Sequence, residues 1–275
     1  MLAAIPLSTQ VLVNSDNVAE PMTLQGLLLG RCTMLLAGRY LPKEVWRRRS
    51  FREFLFRLAD ATWVDHDRLA ADLLYPDLPQ AKVTHELSRA KWHIHRVLGC
   101  QAIVYDHDTN CFGFNQRLVV LDCDTARFER QVVAARRLPA NTRTLNSYRE
   151  ILALYRGPFL PGEISISGWI ERRRAELGRL HIEALRRAAE IATSLGQVKD
   201  AESYLNLARE QDPDDVPVYA DLVRLLLQMG NHGGAREVIR DLAGRWPQDA
   251  LQLAALDQRP LSERTSAAAV RGCRV

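Results

Sequence analysis

The C-terminal third of the chain aligns with itself at a spacing of 34 residues: Gly196 meets Gly230, Ala201 meets Ala235 and Pro213 meets Pro247. Between those fixed points the size classes agree, with Leu205 opposite Ile239, Tyr204 opposite Val238 and, less closely, Ala208 opposite Leu242. Helix geometry gives each recurring residue its reason. A glycine after an amphipathic helix supplies the left-handed residue that ends it, and an alanine lets the next helix approach closely. A proline then stops that second helix.

A period of 34 residues is that of tetratricopeptide-type helical hairpins. The repeats run roughly over 182–215 and 216–249, and the patterns predict helices at Glu171–Leu195, Val198–Gln211, Val216–Met229 and Gly233–Arg245, with a short helix near Asp249–Leu256 capping the stack. An ordinary helical bundle with an accidental match is the alternative, but three identities at one spacing favour a solenoid. Two repeats bury little surface and about three are needed for stability, so the helices from Thr144 onward are expected to extend the stack although they lack the repeat signature.

At 275 residues the chain has room for two cores, since single domains run about 100–200 residues. Its 47% hydrophobic and 25% charged residues are those of a globular protein. No segment reaches the roughly 18 uninterrupted apolar residues of a membrane span. The start of the chain has neither a basic region nor a small-residue cleavage site, so a cytoplasmic location is expected. Cys32, Cys100, Cys111, Cys123 and Cys273 form an odd set without CxxC spacing, which argues against a disulfide framework or a zinc module. No HExxH, GxSxG, dinucleotide or GxxxxGK[ST] motif is present. No enzyme activity, cofactor or metal is therefore expected.

The net charge of +4 is small, so what matters is where the cations lie. Residues 1–23 show no period and are set aside as an irregular leader. Leu24–Tyr40 suits short strands joined by a turn. Phe51, Phe54, Leu55 and Leu58 mark one face of a helix, with Arg52 and Arg57 off that face. Asp65 or Asp67 can cap a second helix through Leu74, ended by the proline-bearing Tyr75–Pro79. A third helix is predicted at Gln80–Leu98 and closed by Gly99, with Val83, Leu87, Ala90, Ile94 and Val97 or Leu98 inward. Gln101–Tyr105 and Cys111–Phe114 are β-like about the turn sequence Asp106–Asn110. Three helices followed by a hairpin predict a winged helix.

A helix fits the major groove of DNA, and basic side chains neutralise phosphates or reach guanine edges. The candidate DNA-facing residues are Lys82, Thr84, His85, Ser88, Arg89, Lys91 and Arg96 on the third helix, with His107 and Asn110 in the hairpin turn. Solvated positions of an amphipathic helix would look the same; the place of this helix before a hairpin is what selects DNA. Arg47, Arg48 and Arg49 read either as phosphate contacts or as a solvated charge run. Trp92 is expected to pack against the wing or the adjoining domain. His93 and His95, two apart on a helix, point in different directions and make a poor metal pair. A tetratricopeptide adaptor that binds no DNA is the rival reading, separated by the basic third helix.

After the hairpin come Leu118-Val-Val-Leu-Asp-Cys-Asp-Thr-Ala-Arg-Phe-Glu129, then Leu154-Tyr-Arg-Gly-Pro-Phe-Leu-Pro-Gly-Glu163 and Gly168-Trp-Ile-Glu-Arg-Arg-Arg174. This order resembles the bacterial transcriptional activator domain of the Streptomyces antibiotic regulatory protein family. In that family D-x-x-x-F leads into the helical domain and Y-x-G-x-F-L-P-G precedes a helix opening with W-I-E-x-x-R. The resemblance covers roughly residues 24–250. It implies a winged helix that binds direct repeats in promoters, and a helical domain that supports dimerisation and contacts with the transcription machinery, including RNA polymerase. Gly157-Pro158 and Pro161-Gly162 break the chain there, and Phe159, Leu160 and Trp169 read as structural anchors. The larger members' nucleotide-binding and sensor domains find no counterpart here. The expected fold is thus mainly α: a leader over 1–23, a winged helix-turn-helix with a small β-sheet and a β-hairpin wing over 24–117, an all-α tetratricopeptide-like domain over 118–257 and a tail over 258–275.

Overall fold

The computed structural model describes residues 20–41, 47–74 and 78–257. Most of the expected leader, the residues 42–46 before the basic run, and the tail over 258–275 lie outside them. The described chain begins with strands β1 Met22–Leu27, β2 Thr33–Leu36 and β3 Arg39–Tyr40. Helix α1 Arg49–Ala61, strand β4 Trp63–Asp65 and helices α2 His66–Leu73 and α3 Gln80–Leu98 come next. Strands β5 Ile103–Asp106, β6 Cys111–Phe114 and β7 Val119–Cys123 complete the sheets.

The first sheet has the order β3-β2-β1-β7. Strand β1 runs antiparallel to β2 and parallel to β7, with Leu24 opposite Leu36 on one side and Leu121 on the other. This pairing moves the boundary expected at 117/118: Val119–Cys123, assigned by sequence to the second domain, is part of the first sheet. A parallel partner is reached only through a long crossover, so no local turn signal announces it. Met22 and Thr23, assigned to the leader, likewise belong to β1.

Helix α1 buries Phe51, Phe54, Leu55 and Leu58, the stripe its spacing predicts. Asp65 caps α2 by accepting from the backbone N–H groups of Asp67 and Arg68, both at 3.0 Å, which decides between the two candidate caps. Helix α3 has the predicted bounds, with Val83, Leu87, Ala90, Ile94 and Leu98 buried. The hairpin β5–β6 follows, and β4 joins it in a second sheet of order β4-β6-β5. Three helices with a hairpin on a three-stranded sheet make the expected winged helix.

The rest is helical: α4 Asp124–Ala135, α5 Thr142–Leu154, α6 Trp169–Ser194, α7 Val198–Gln211, α8 Val216–Gln228, α9 His232–Ala243 and α10 Pro247–Asp257. Gly196 and Gly230 take φ of 73° and 74° at equivalent corners. Ala201 and Ala235 are fully buried where the paired helices touch. Helices α4 and α5 pack before the two repeats against α6, extending the stack.

One hydrophobic core runs from Leu24 in β1 to Leu253 in α10, so the two parts are not separate bodies joined by a linker. Asp124, the first residue of α4, is buried and accepts from the backbone N–H of Leu28 at 2.8 Å and of Leu29 at 3.2 Å. The backbone N–H of Leu160 donates to the Leu28 carbonyl at 2.9 Å, and that of Gly30 to the Pro158 carbonyl at 3.0 Å. The chains approach so closely that a Cβ at Gly30 would lie 2.6 Å from the Arg156 carbonyl carbon.

Phe159, Leu160 and Trp169 are buried anchors as expected. Arg174 holds the loop that carries the first two, donating to the carbonyls of Phe159 at 2.9 Å, Leu160 at 2.8 Å and Glu163 at 3.1 Å. Arg173 spans the seam, donating to Asp60 of α1 at 2.9 Å and to Glu129 of α4 at 2.6 Å. Burial raises the Asp60 carboxyl above its ordinary value, and the Arg173 guanidinium pulls the other way. Arg57 pairs with Asp72 at 2.8 Å, both nearly buried, and lies over the Trp169 ring at 5.6 Å.

Removing one partner of a buried pair leaves an uncompensated charge. Arg173→Ala is expected to lower unfolding stability by about 3–5 kcal/mol, while Arg179→Ala, at an exposed position of the same helix, changes it by less than about 0.5 kcal/mol. Urea unfolding measures both, and equal effects would refute the role given to the Arg173 network.

Candidate nucleic-acid interface

Helix α3 turns one face to the core, so its other faces are set by periodicity. Lys82, Thr84, His85, Ser88, Arg89, Trp92 and Arg96 are exposed and Lys91 is half-buried. Every candidate on the third helix therefore stands on or beside its outer surface. Arg89 pairs with Glu86 at 2.8 Å. Such a surface pair contributes little, and its guanidinium can exchange the carboxylate for another anion.

The N-terminus of α1 lies against the same helix. Arg47, Arg48, Phe51, Arg89, Trp92, His93 and Arg96 line a cleft of about 370 Å³. Phe51 forms its floor, with the His93 ring stacked at 4.3 Å. The guanidinium carbons of Arg48 and Arg89 stand 5.5 and 5.9 Å from the Phe51 centroid. Among the described residues, four guanidinium groups and no carboxylate line this cleft, with Glu86 paired to Arg89 beside it. The N-terminus of α1 adds the positive end of a helix dipole. Arg47 and Arg48 thus join Arg89 and Arg96 in one electropositive surface, which the sequence order alone does not bring together. Arg49 goes elsewhere: it pairs with the buried Glu53 and donates to the Ile164 carbonyl at 2.6 Å. Its place is the seam with the helical part.

Trp92 differs from expectation. It packs on neither the wing nor the helical part but is 59% exposed, with the Arg96 guanidinium 5.6 Å from its ring centroid. The two nearby histidines have separate tasks. His95 Nε2 lies 3.1 Å from the Ile103 amide nitrogen and 2.9 Å from its carbonyl oxygen, tying α3 to the root of the wing. Burial holds the His95 imidazole below its usual pKa. Among the described residues His93 Nε2 is buried without a hydrogen-bond partner.

The hairpin candidates divide. His107 is exposed at the tip, edge-on to Tyr105 at 4.7 Å. Asn110 is committed internally: it accepts from the Tyr105 hydroxyl at 2.6 Å and donates to the Asp65 carboxylate at 3.3 Å, at a φ of 55°. It is a turn residue rather than a free contact. Asp106 and Asp108 share the tip, and the Thr109 hydroxyl holds the Asp106 carboxyl below its ordinary pKa. The cationic surface therefore belongs to α1 and α3, and the wing tip contributes mixed charge.

Residues 123–252 match the family described as "Bacterial transcriptional activator domain", beginning where β7 ends. The helical part of the chain therefore carries a bacterial transcriptional activator domain. The solved structure of Mycobacterium tuberculosis EmbR in complex with a low-affinity phosphopeptide is similar in fold, with a TM-score of 0.64 at 19% identity. The similarity covers 92% of this chain and 69% of that one. No curated protein matches the sequence. No helix among the described residues is long and apolar enough to cross a membrane.

Asn110→Ala should remove two hydrogen bonds and place a Cβ residue without a compensating side chain in the left-handed region, lowering stability by about 1–3 kcal/mol. Asn110→Gly, which relieves the backbone strain, should recover part of that loss in thermal melts. Equal losses in the two variants would show that the left-handed backbone is not part of the cost.

Proposed function

We propose that the chain is a DNA-binding regulator whose α3 enters the major groove of promoter DNA while the α1 N-terminus holds flanking phosphates. The supporting observation is the convergence of Arg47, Arg48, Arg89 and Arg96 on one cleft beside the outer face of α3. Lys82, Thr84, His85 and Ser88 stand on that face toward its N-terminal end, within reach of base edges. The reading includes no catalysis and a cytoplasmic location. The helical domain serves dimerisation or contact with RNA polymerase, because binding to direct repeats calls for two copies of the winged helix.

Wild-type protein is expected to retain duplex DNA in mobility-shift assays with an affinity that falls steeply as salt rises. Arg48→Ala and Arg96→Ala should each weaken binding across sequences and reduce the salt slope by about 1. Unchanged slopes would remove the cleft from the interface. Failure of the wild-type chain to retain any duplex at low salt would favour the adaptor reading, in which the helical stack contacts protein alone.

A further inference from the structure

The outer surface of α3 carries one large apolar side chain amid cations. Helical spacing sets Ala81, His85, Ser88 and Trp92 along its most outward line, all exposed, at i, i+4, i+7 and i+11. Trp92 is 59% exposed, and Arg96 stands 5.6 Å from its ring centroid. A guanidinium over an indole is attractive and narrows the positions the ring can take. Trp92 also walls the cleft that Arg47, Arg48, Arg89 and Arg96 line. A polyanion drawn to those arginines would therefore bring its own surface against the indole.

In duplex DNA the apolar group displayed on major-groove base edges is the thymine 5-methyl; the remaining edge atoms are hydrogen-bond donors and acceptors. We propose that Trp92 is a specificity residue that reads a thymine 5-methyl group, while the adjoining arginine cleft seats the neighbouring backbone phosphates. This rests on the DNA-binding reading above and adds a base preference to it. Charge complementarity selects the occupant: an apolar protein partner would have to bury several guanidinium groups against itself, whereas DNA supplies phosphates at the cleft and a methyl group at the ring. The indole N–H can still donate to a water or a base acceptor at the groove floor.

The test uses the full chain and a tight-binding duplex selected from a random pool, with each thymine replaced in turn by deoxyuridine, which lacks only the methyl group. Wild-type affinity should fall about fourfold at one thymine per bound protomer, the effect of burying a single methyl. Trp92→Ala should bind the thymine and deoxyuridine duplexes equally, with an unchanged salt slope and an unchanged melting temperature, and Trp92→Phe should keep part of the discrimination. The same deoxyuridine penalty in wild type and Trp92→Ala, or none in either, overturns the proposal while leaving DNA binding intact. A change in oligomeric state on Trp92→Ala without a change in the thymine-to-deoxyuridine ratio also overturns it, assigning the ring to a protein contact. If the pool yields no retained duplex even at low salt, the DNA reading itself fails and the Trp92 proposal with it.

Discussion

The architecture depends on a guanidinium held between two carboxylates from different parts of the chain. Arg173, on α6, meets Asp60 from the end of α1 and Glu129 from α4. The desolvation of these groups is compensated only when all three are in place, so their contact ties the winged helix to α4 and α6, the first and third helices of the stack. Apolar packing supplies most of the favourable free energy, but it is non-directional. The ion pairs, together with the Asp124 carboxylate on the Leu28 and Leu29 amides, set the geometry in which that packing occurs.

Arginine is used in two opposite ways. Arg57, Arg173 and Arg174 spend their donors inside the molecule, on carboxylates or on loop carbonyls. Arg47, Arg48, Arg89 and Arg96 gather at a cleft with an aromatic floor. The first group makes the winged helix and the stack one body; the second leaves a cationic surface on the side where α3 is uncovered. The hydrophobic core is continuous across both parts, and Arg173 pairs with Asp60 of α1 at its edge.

Much of the fold was legible in advance. The bounds of α3 followed from Pro79, the apolar stripe and Gly99, and the two repeats followed from a periodicity that helix packing imposes locally. What was not legible depended on contacts distant in sequence. Strand β7 was read into the helical part because its partner β1 lies about a hundred residues earlier. Asn110 looked like a polar turn tip available to a ligand, but its amide is taken by Tyr105 and by Asp65 from another strand. Arg49 sits in a run with Arg47 and Arg48, but as the first residue of α1 it turns to Glu53 and the Ile164 carbonyl instead.

By itself the sequence determined the helical repeats, the three helices and hairpin of the winged helix, and the identity of the domain that begins at Cys123, because local periodicity, caps and turn residues act within a few residues of one another. Tertiary structure alone decided which arginines are internal ties and which form the exposed cleft, and that Trp92 stands in solvent instead of under the wing. Those outcomes depend on which surfaces the continuous core covers, and that is a property of how the elements pack together.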